Sequence, residues 1–291
     1  MLCAVGDLIE DVIVQLHDDV QRDTDTPASI SRRRGGSAAN VAYFAAKLSG
    51  RSRFVGNVGS DSVGDSLIQQ LEHAGVNVCG ERYGRTGSIV VITGRDGERT
   101  MLTDRGDATR LTHVAESWLD DVRVLHVPLY SFAGEPLASA SRTALQLAAQ
   151  RAIRTSIDLS SVTVIAHLGV AAVQGLIESV QPDVVFCTAA EAIAAELTPL
   201  ARHGAKLLVI KDGPRPVTTC GTNHPPTTHA VHAAQHVIDG TGAGDAFAAG
   251  MLTELARSAT WHDADIARGV AAGNQTALRV LGRAGATLED L

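Results

Sequence analysis

The residues best placed to do chemistry lie between Val237 and Leu252, V-I-D-G-T-G-A-G-D-A-F-A-A-G-M-L. An apolar pair runs into Asp239, a glycine-dense turn (Gly240-Thr241-Gly242-Ala243-Gly244) follows, and Asp245 opens an apolar run with helical spacing. Glycines turn the backbone without a Cβ penalty and let an anion approach the main chain closely. A helix beginning at Gly242 to Asp245 would aim unpaired N–H groups and the positive end of its dipole at that anion. A carboxylate in such a cradle is electrostatically awkward unless it has a task. Taking a proton from a hydroxyl beside a phosphate is such a task. The plainer reading is a glycine turn with an N-capping aspartate, and the density of the pattern weighs against it.

A second stretch, Gly35-Gly36-Ser37-Ala38-Ala39-Asn40, feeds an Ala-rich run from Val41 to Leu48 that reads as a buried helix. The glycine pair would let a small polyhydroxylated ligand touch backbone, and Asp11 and Asn40 would supply hydrogen bonds to its hydroxyls. Local chemistry alone gives a structural turn equal standing here.

The elements that must position these residues follow from periodicity. Leu2–Val5 and Val12–Leu16 read as strands around a turn from Gly6 to Asp11, and Asp18 to Arg34 is polar with little helical spacing. Gly87–Thr93 and Glu98–Thr103 are β-rich runs joined by Gly94-Arg95-Asp96-Gly97, a hairpin signal. With Val12–Leu16 they predict a small sheet over the substrate, where Arg99 or Arg105 could reach an anionic substituent. From Asp121 onward, strand candidates (Val122–Val127, Thr155–Leu159, Asp183–Cys187, Lys206–Lys211) alternate with helix candidates (Pro136–Arg151, Val162–Val180, Ala189–His203). That alternation predicts an α/β fold with a parallel sheet between helix layers and ligands at the carboxyl ends of the strands.

Bulk properties narrow the function. The chain has 291 residues, enough for one large α/β domain or two small ones, and a 45% hydrophobic fraction argues against wholesale disorder. With 25 Lys and Arg against 32 Asp and Glu, the net charge of −7 argues against broad nucleic-acid or anionic-membrane binding. No apolar run approaches the roughly 20 residues that span a bilayer. The opening Met1-Leu2-Cys3-Ala4-Val5-Gly6-Asp7 lacks the pattern of a signal peptide. Four scattered cysteines suit reduced thiols, so a cytoplasmic location is expected. His224, His229, His232 and His236 invite a zinc reading, but their Pro/Thr-rich setting without cysteine partners favours a loop and strand that happen to carry histidine. Neither a Walker A pattern nor a dinucleotide-binding G-x-G-x-x-G in a βαβ unit occurs.

The two stretches together resemble the signatures of the ribokinase-like (PfkB) carbohydrate and nucleoside kinases. Asp239, Gly242, Ala243, Gly244 and Asp245 match D-T-x-G-A-G-D, with Gly240 where threonine is usual; Gly35 to Gly64, including Gly56, Gly59 and Asp61, match the N-terminal signature. The resemblance implies a three-layer α/β/α sandwich over residues 1–291 as one domain, with lid segments near 12–34 and 86–105. It implies Asp245 as catalytic base, Gly242 to Gly244 as anion hole, and Asp11, Gly35, Gly36 and Asn40 on the acceptor. Thr188 stands where the family's N-x-x-E motif has asparagine, and Glu191 matches the glutamate that organises Mg²⁺ through water. Lys211 and Gly213 resemble the strand and glycine beside the ATP phosphates, with Pro216 in place of a second glycine. Asn274 matches an adenine-pocket position, and Asp239 and Thr241 match positions that bind a monovalent cation such as K⁺. The implied function is ATP-dependent phosphorylation of a sugar alcohol group, with the lid as a homodimer contact. Two alternatives remain: a nucleoside (adenosine-like) kinase with Tyr43, Phe44 or Tyr130 stacking the base, and a non-catalytic binding protein on the same fold.

Overall fold

The computed structural model describes residues 1–94, 98–197, 204–234, 236–237, 239–258, 260–282 and 285–288, without the side chain of Arg99. In chain order the first half contains β1 (Leu2–Val5), β2 (Ile9–Leu16), β3 (Ala28–Gly35), α1 (Ser37–Ser49), β4 (Ser52–Val58), α2 (Ser62–His73), β5 (Val76–Arg82), β6 (Ser88–Thr93) and β7 (Arg99–Asp104). After two short 3-10 turns come β8 (Val124–Pro128), a third such turn, α3 (Leu137–Gln150), β9 (Arg154–Asp158), α4 (Val162–Leu168), α5 (Val170–Val180), β10 (Val184–Thr188) and α6 (Ala189–Ala194). Then follow β11 (Leu207–Asp212), β12 (Arg215–Gly221), β13 (His224–His229), α7 (Ala243–Leu255) and α8 (Asp263–Leu281).

Nine strands form the large sheet in the order β13-β12-β11-β10-β9-β8-β1-β4-β5. Pairing is parallel from β11 to β5 and antiparallel at β12 and β13. Apart from β9, which reads Arg-Thr-Ser-Ile-Asp, its central strands are largely apolar because helices cover both faces. Successive residues of a strand point to opposite layers. Leu2, Ala4, Val184 and Phe186 pack with α1, α2, α7 and α8, whereas Cys3, Val5, Val185 and Cys187 pack with α3 to α6. The α/β/α sandwich expected from the sequence is therefore present. Among the described residues, no single helix is long and apolar enough to cross a membrane.

The chain leaves β1 for β4 on one side and returns as β8 on the other. This reversal puts a crevice at the carboxyl end of β1. A second sheet of four strands, β3-β2-β6-β7, leaves the body at that crevice, since β2 follows β1 after a short turn and β3 runs straight into α1.

Four sequence expectations are corrected. Asp11 lies inside β2, not in a turn, and the polar run before Gly35 is itself a strand, β3, paired residue for residue with β2. Much of this strand is exposed, and its only apolar alternation is Ala28 and Ile30 ahead of three arginines, too short for the period to give a signal. Val162–Val180 is two helices meeting at 92°, because Gly169 adopts φ 84° and breaks the hydrogen-bond ladder. The helix expected from Ala189 to His203 stops at Ala194 as α6, and its stretch 198–203, like the predicted hairpin tip at 95–97, lies outside the described residues.

Candidate active site

Asp245 sits in the first turn of α7, just after Gly242, which is held at φ 76°. A Cβ on Gly242 would fall 2.5 Å from the Ala286 Cβ, so only glycine lets the turn close. The Asp245 carboxylate accepts from Ser37 Oγ at 2.7 Å and from Asn40 Nδ2 at 2.9 Å, both on α1. Burial pushes its pKa up to about 7, against the pull of these two hydrogen bonds; Asp158 adds to the rise and Lys211 opposes it. A carboxylate so poised can accept a proton near neutral pH.

The residues that close this site from below come from the carboxyl ends of the parallel strands. Lys211, near the end of β11, donates to Asp158, at the end of β9, over 2.7 Å. Burial works against the ammonium, but Asp158 outweighs it, and the Lys211 pKa lies above the ordinary value. Lys211 Nζ is 3.4 Å from where a Cβ on Gly244 would stand, so that glycine keeps the cation against the turn. The neighbouring strand β10 ends in Thr188, whose Oγ1 accepts from the Glu191 N–H at 3.2 Å while the Glu191 carboxylate accepts from the Thr188 N–H at 2.7 Å. The hydroxyl expected at the nucleotide thus caps α6, and threonine keeps the capping geometry that asparagine would supply. Burial raises the Glu191 pKa and Asp158 raises it further, so two carboxylates share this corner with one lysine. A hydrated divalent cation suits that imbalance.

On the other side of Asp245, the glycine pair has distinct duties. A Cβ on Gly35 would stand 2.2 Å from Asp11 Oδ1, and one on Gly36, at φ 95°, would stand 2.4 Å from the Asp7 carbonyl oxygen. The Asp11 pKa is raised to about 6 by burial, with Arg34 opposing. Asn40, expected to face substrate hydroxyls, already donates to Asp245 and accepts from Arg34 Nη1.

The remaining expected residues scatter more widely. Asp239 accepts from Thr241 N–H and Oγ1 at 2.8 and 2.7 Å and from the Gly285 N–H at 2.9 Å, bracing the loop ahead of α7. Gly240 borders open space, so a threonine there would meet no obstacle. Gly213 takes φ 60° in the tight turn between β11 and β12, and Pro216 falls opposite the register shift at Ile210–Asp212, where a missing N–H is tolerated. Asn274 lies on α8, with Nδ2 3.5 Å from the His232 carbonyl oxygen. Arg99 pairs its backbone with Thr93 at the far end of the small sheet, and its side chain is outside the described residues. Arg105 reaches the body instead, donating to buried Asp7 at 2.6 Å and stacking over Tyr130 at 4.4 Å.

Sequence reasoning missed Arg34, Ser37 and Asp158. Arg34 is only 5% exposed although it ends a run of three arginines that reads as a solvated face. Asp158 carried a usable signal, an acid near the carboxyl end of a predicted parallel strand, where such sheets place their ligands.

The sequence pattern of the "pfkB family carbohydrate kinase" family matches residues 1–290. Among curated proteins, the chain is 29% identical over 251 residues to the probable fructokinase-6, chloroplastic, of Arabidopsis thaliana, covering 80% of this chain and 64% of that protein. It is 30% identical over 241 residues to fructokinase-2 of Zea mays, covering 77% of this chain and 71% of that one. Among solved structures, an adenosine kinase from Sinorhizobium meliloti superposes with a TM-score of 0.87 at 23% identity, over 99% of this chain and 96% of that one. At that identity the likeness speaks for the fold.

Proposed function

The chain belongs to the pfkB family of carbohydrate kinases, enzymes that phosphorylate sugar hydroxyls, and we propose that it transfers the γ-phosphoryl group of ATP to an alcohol group of a sugar, with a ketohexose such as fructose as leading acceptor. The observation that carries this reading is the setting of Asp245. It is a carboxylate of raised pKa in the first turn of a helix, beside a glycine turn, between two donors on α1 and the Lys211–Asp158 pair. Phosphoryl transfer asks a protein mainly for positioning and charge stabilisation. Asp245 takes the proton of the attacking hydroxyl. The N–H groups of Gly242, Ala243 and Gly244 receive the charge on the transferred group, and Lys211 adds a cation beside Gly244. Asp11 and the Gly35-Gly36 turn hold the acceptor hydroxyls, with Asn40 bordering the same space. Gly213 and Asn274 flank the nucleotide. Mg²⁺, held through water near Glu191, would screen the ATP phosphates. K⁺ near Asp239 and Thr241 belongs to the same reading.

We read the protein as a single domain in which the small sheet is a lid that excludes water during transfer. The face of that sheet away from Asp11 carries Val12, Val14, Ile30, Val90, Ile92 and Leu102 in register. Ile30 is 66% and Leu102 55% exposed, an apolar stripe suited to a second copy of the chain. The reduced cysteines suit a cytoplasmic setting.

The nucleoside-kinase reading needs an aromatic ring to stack a base. Phe44 is fully buried in the core, Tyr43 lies under Arg34 at 4.2 Å, and Tyr130 lies under Arg105. All three candidates are engaged elsewhere, which favours a sugar. The test is to incubate the protein with ATP, Mg²⁺ and a panel of ketohexoses, aldohexoses, pentoses and nucleosides, with and without K⁺, and to identify products by phosphorus NMR. A sugar phosphate is expected; a nucleoside monophosphate alone would overturn the acceptor assignment.

A further inference from the structure

Arg34 is a buried guanidinium at the point where β3 enters the body, and nothing in the transfer chemistry above uses it. Its Nη1 donates to Asn40 Oδ1 and its Nη2 donates to the Ala286 carbonyl at 2.8 Å, while its plane lies 4.2 Å from the Tyr43 ring centroid. Arginine has five donors and no acceptor, so the Asn40 amide oxygen must face it. The amide NH₂ is then turned the other way, onto Asp245 Oδ2. We propose that Arg34 is the positioning residue of this site: it fixes the Asn40 amide so that its NH₂ faces Asp245, and so holds the base charged and aimed at the acceptor.

The geometry makes the assignment specific. Lysine could supply the charge but not the planar fork that serves Asn40 and Ala286 together over an aromatic ring. The Ala286 backbone also lies under Gly242, so the same guanidinium ties the turn before α7 to the strand that carries the small sheet. The charged and titratable groups around Asp245 come from several elements: Asp158 on β9, Lys211 on β11, Arg34 on β3, and Tyr130 after β8, with Asp11 on β2 facing Arg34. Of the two cations, Lys211 is already paired with Asp158 at 2.7 Å. Lys211 opposes the rise in the Asp245 pKa directly, whereas Arg34 is joined to Asp245 through a single amide and acts by orienting it.

The inference rests on Asp245 being the base, and the experiment separates the two ideas. The pH dependence of turnover would be measured for the wild type, Arg34→Met and Arg34→Lys. In parallel the Asp245 carboxyl would be titrated by carbon NMR, assigned by its absence in Asp245→Asn, with melting temperature and ADP affinity recorded for each variant. Removing Arg34 frees the amide to turn and withdraws a cation, so Asp245 holds its proton more tightly. The acid limb should move up by about one pH unit in Arg34→Met. Turnover should fall about tenfold below the limb and little above it. Arg34→Lys should move the limb the same way by less, and it decides the matter if Arg34→Met does not fold. An equal loss of turnover at every pH, with the limb and the carboxyl titration unmoved, would reduce Arg34 to a structural residue and overturn the proposal. Turnover that survives Asp245→Asn would overturn the base assignment instead; the carboxyl titration would then still report whether Arg34 governs Asp245.

Discussion

At the scale of single residues, Asp245 carries two consequences of opposite sign. In the proposed role of base it must be ionised, so kcat should decline as pH falls through about 7, the value to which burial raises this carboxyl. A pH–rate profile checks this, and a plateau extending unbroken to pH 5 would contradict it. For stability the sign reverses. The folded protein retains a proton that the unfolded chain would release at an ordinary aspartate value of 3.8. The stabilisation is thus complete below about pH 4 and lost as pH rises through about 7. Asp245→Asn should therefore melt several degrees higher than the wild type at pH 8 and match it near pH 4, as scanning calorimetry would show. Asp245 and the glycines were legible because their density has no other economical explanation. Arg34 was not, since a charge run normally lies in solvent, and its burial depends on Asn40, Tyr43 and Ala286 converging from separate parts of the chain.

Elements set which of these residues meet. The turn into α7 depends on a positive φ and on close approach to Ala286, so Gly242→Ala should disturb the helix start that presents Asp245. Activity should fall by about two orders of magnitude or more. Circular dichroism should stay near that of the wild type, and full activity in the variant would refute the account of the turn. Phe186, on β10, meets Phe247 of α7 edge to face at 6.3 Å and is fully buried. Phe186→Ala should cost about 3–5 kcal/mol by chemical denaturation. The parallel strands were readable from their apolar runs, because two helix layers bury both faces. The strand β3 and the break at Gly169 were not. One has apolar residues at only two alternate positions before a run of arginines, and the other interrupts a run whose composition is helical on both sides.

At the scale of the whole molecule, the outer stripe of the small sheet should decide assembly. Light scattering after size exclusion should report a dimer of two 30.4 kDa chains, and a double change, Ile30→Glu with Leu102→Glu, should leave monomers. A wild type that is already monomeric would remove that role from the stripe. The two signatures reported the overall architecture well, since each marks a turn at the same end of the sheet. They were silent on how the small sheet connects to the base, which depends on side chains meeting across long separations. The most direct test of the central claim is steady-state ADP release with Mg²⁺, ATP and fructose, comparing the wild type with Asp245→Asn. A sugar-dependent rate that the substitution lowers about 10²- to 10⁴-fold, with ATP binding retained by calorimetry, is the predicted result. Sugar-dependent turnover that survives the substitution would contradict it, as would ADP release indifferent to every sugar offered.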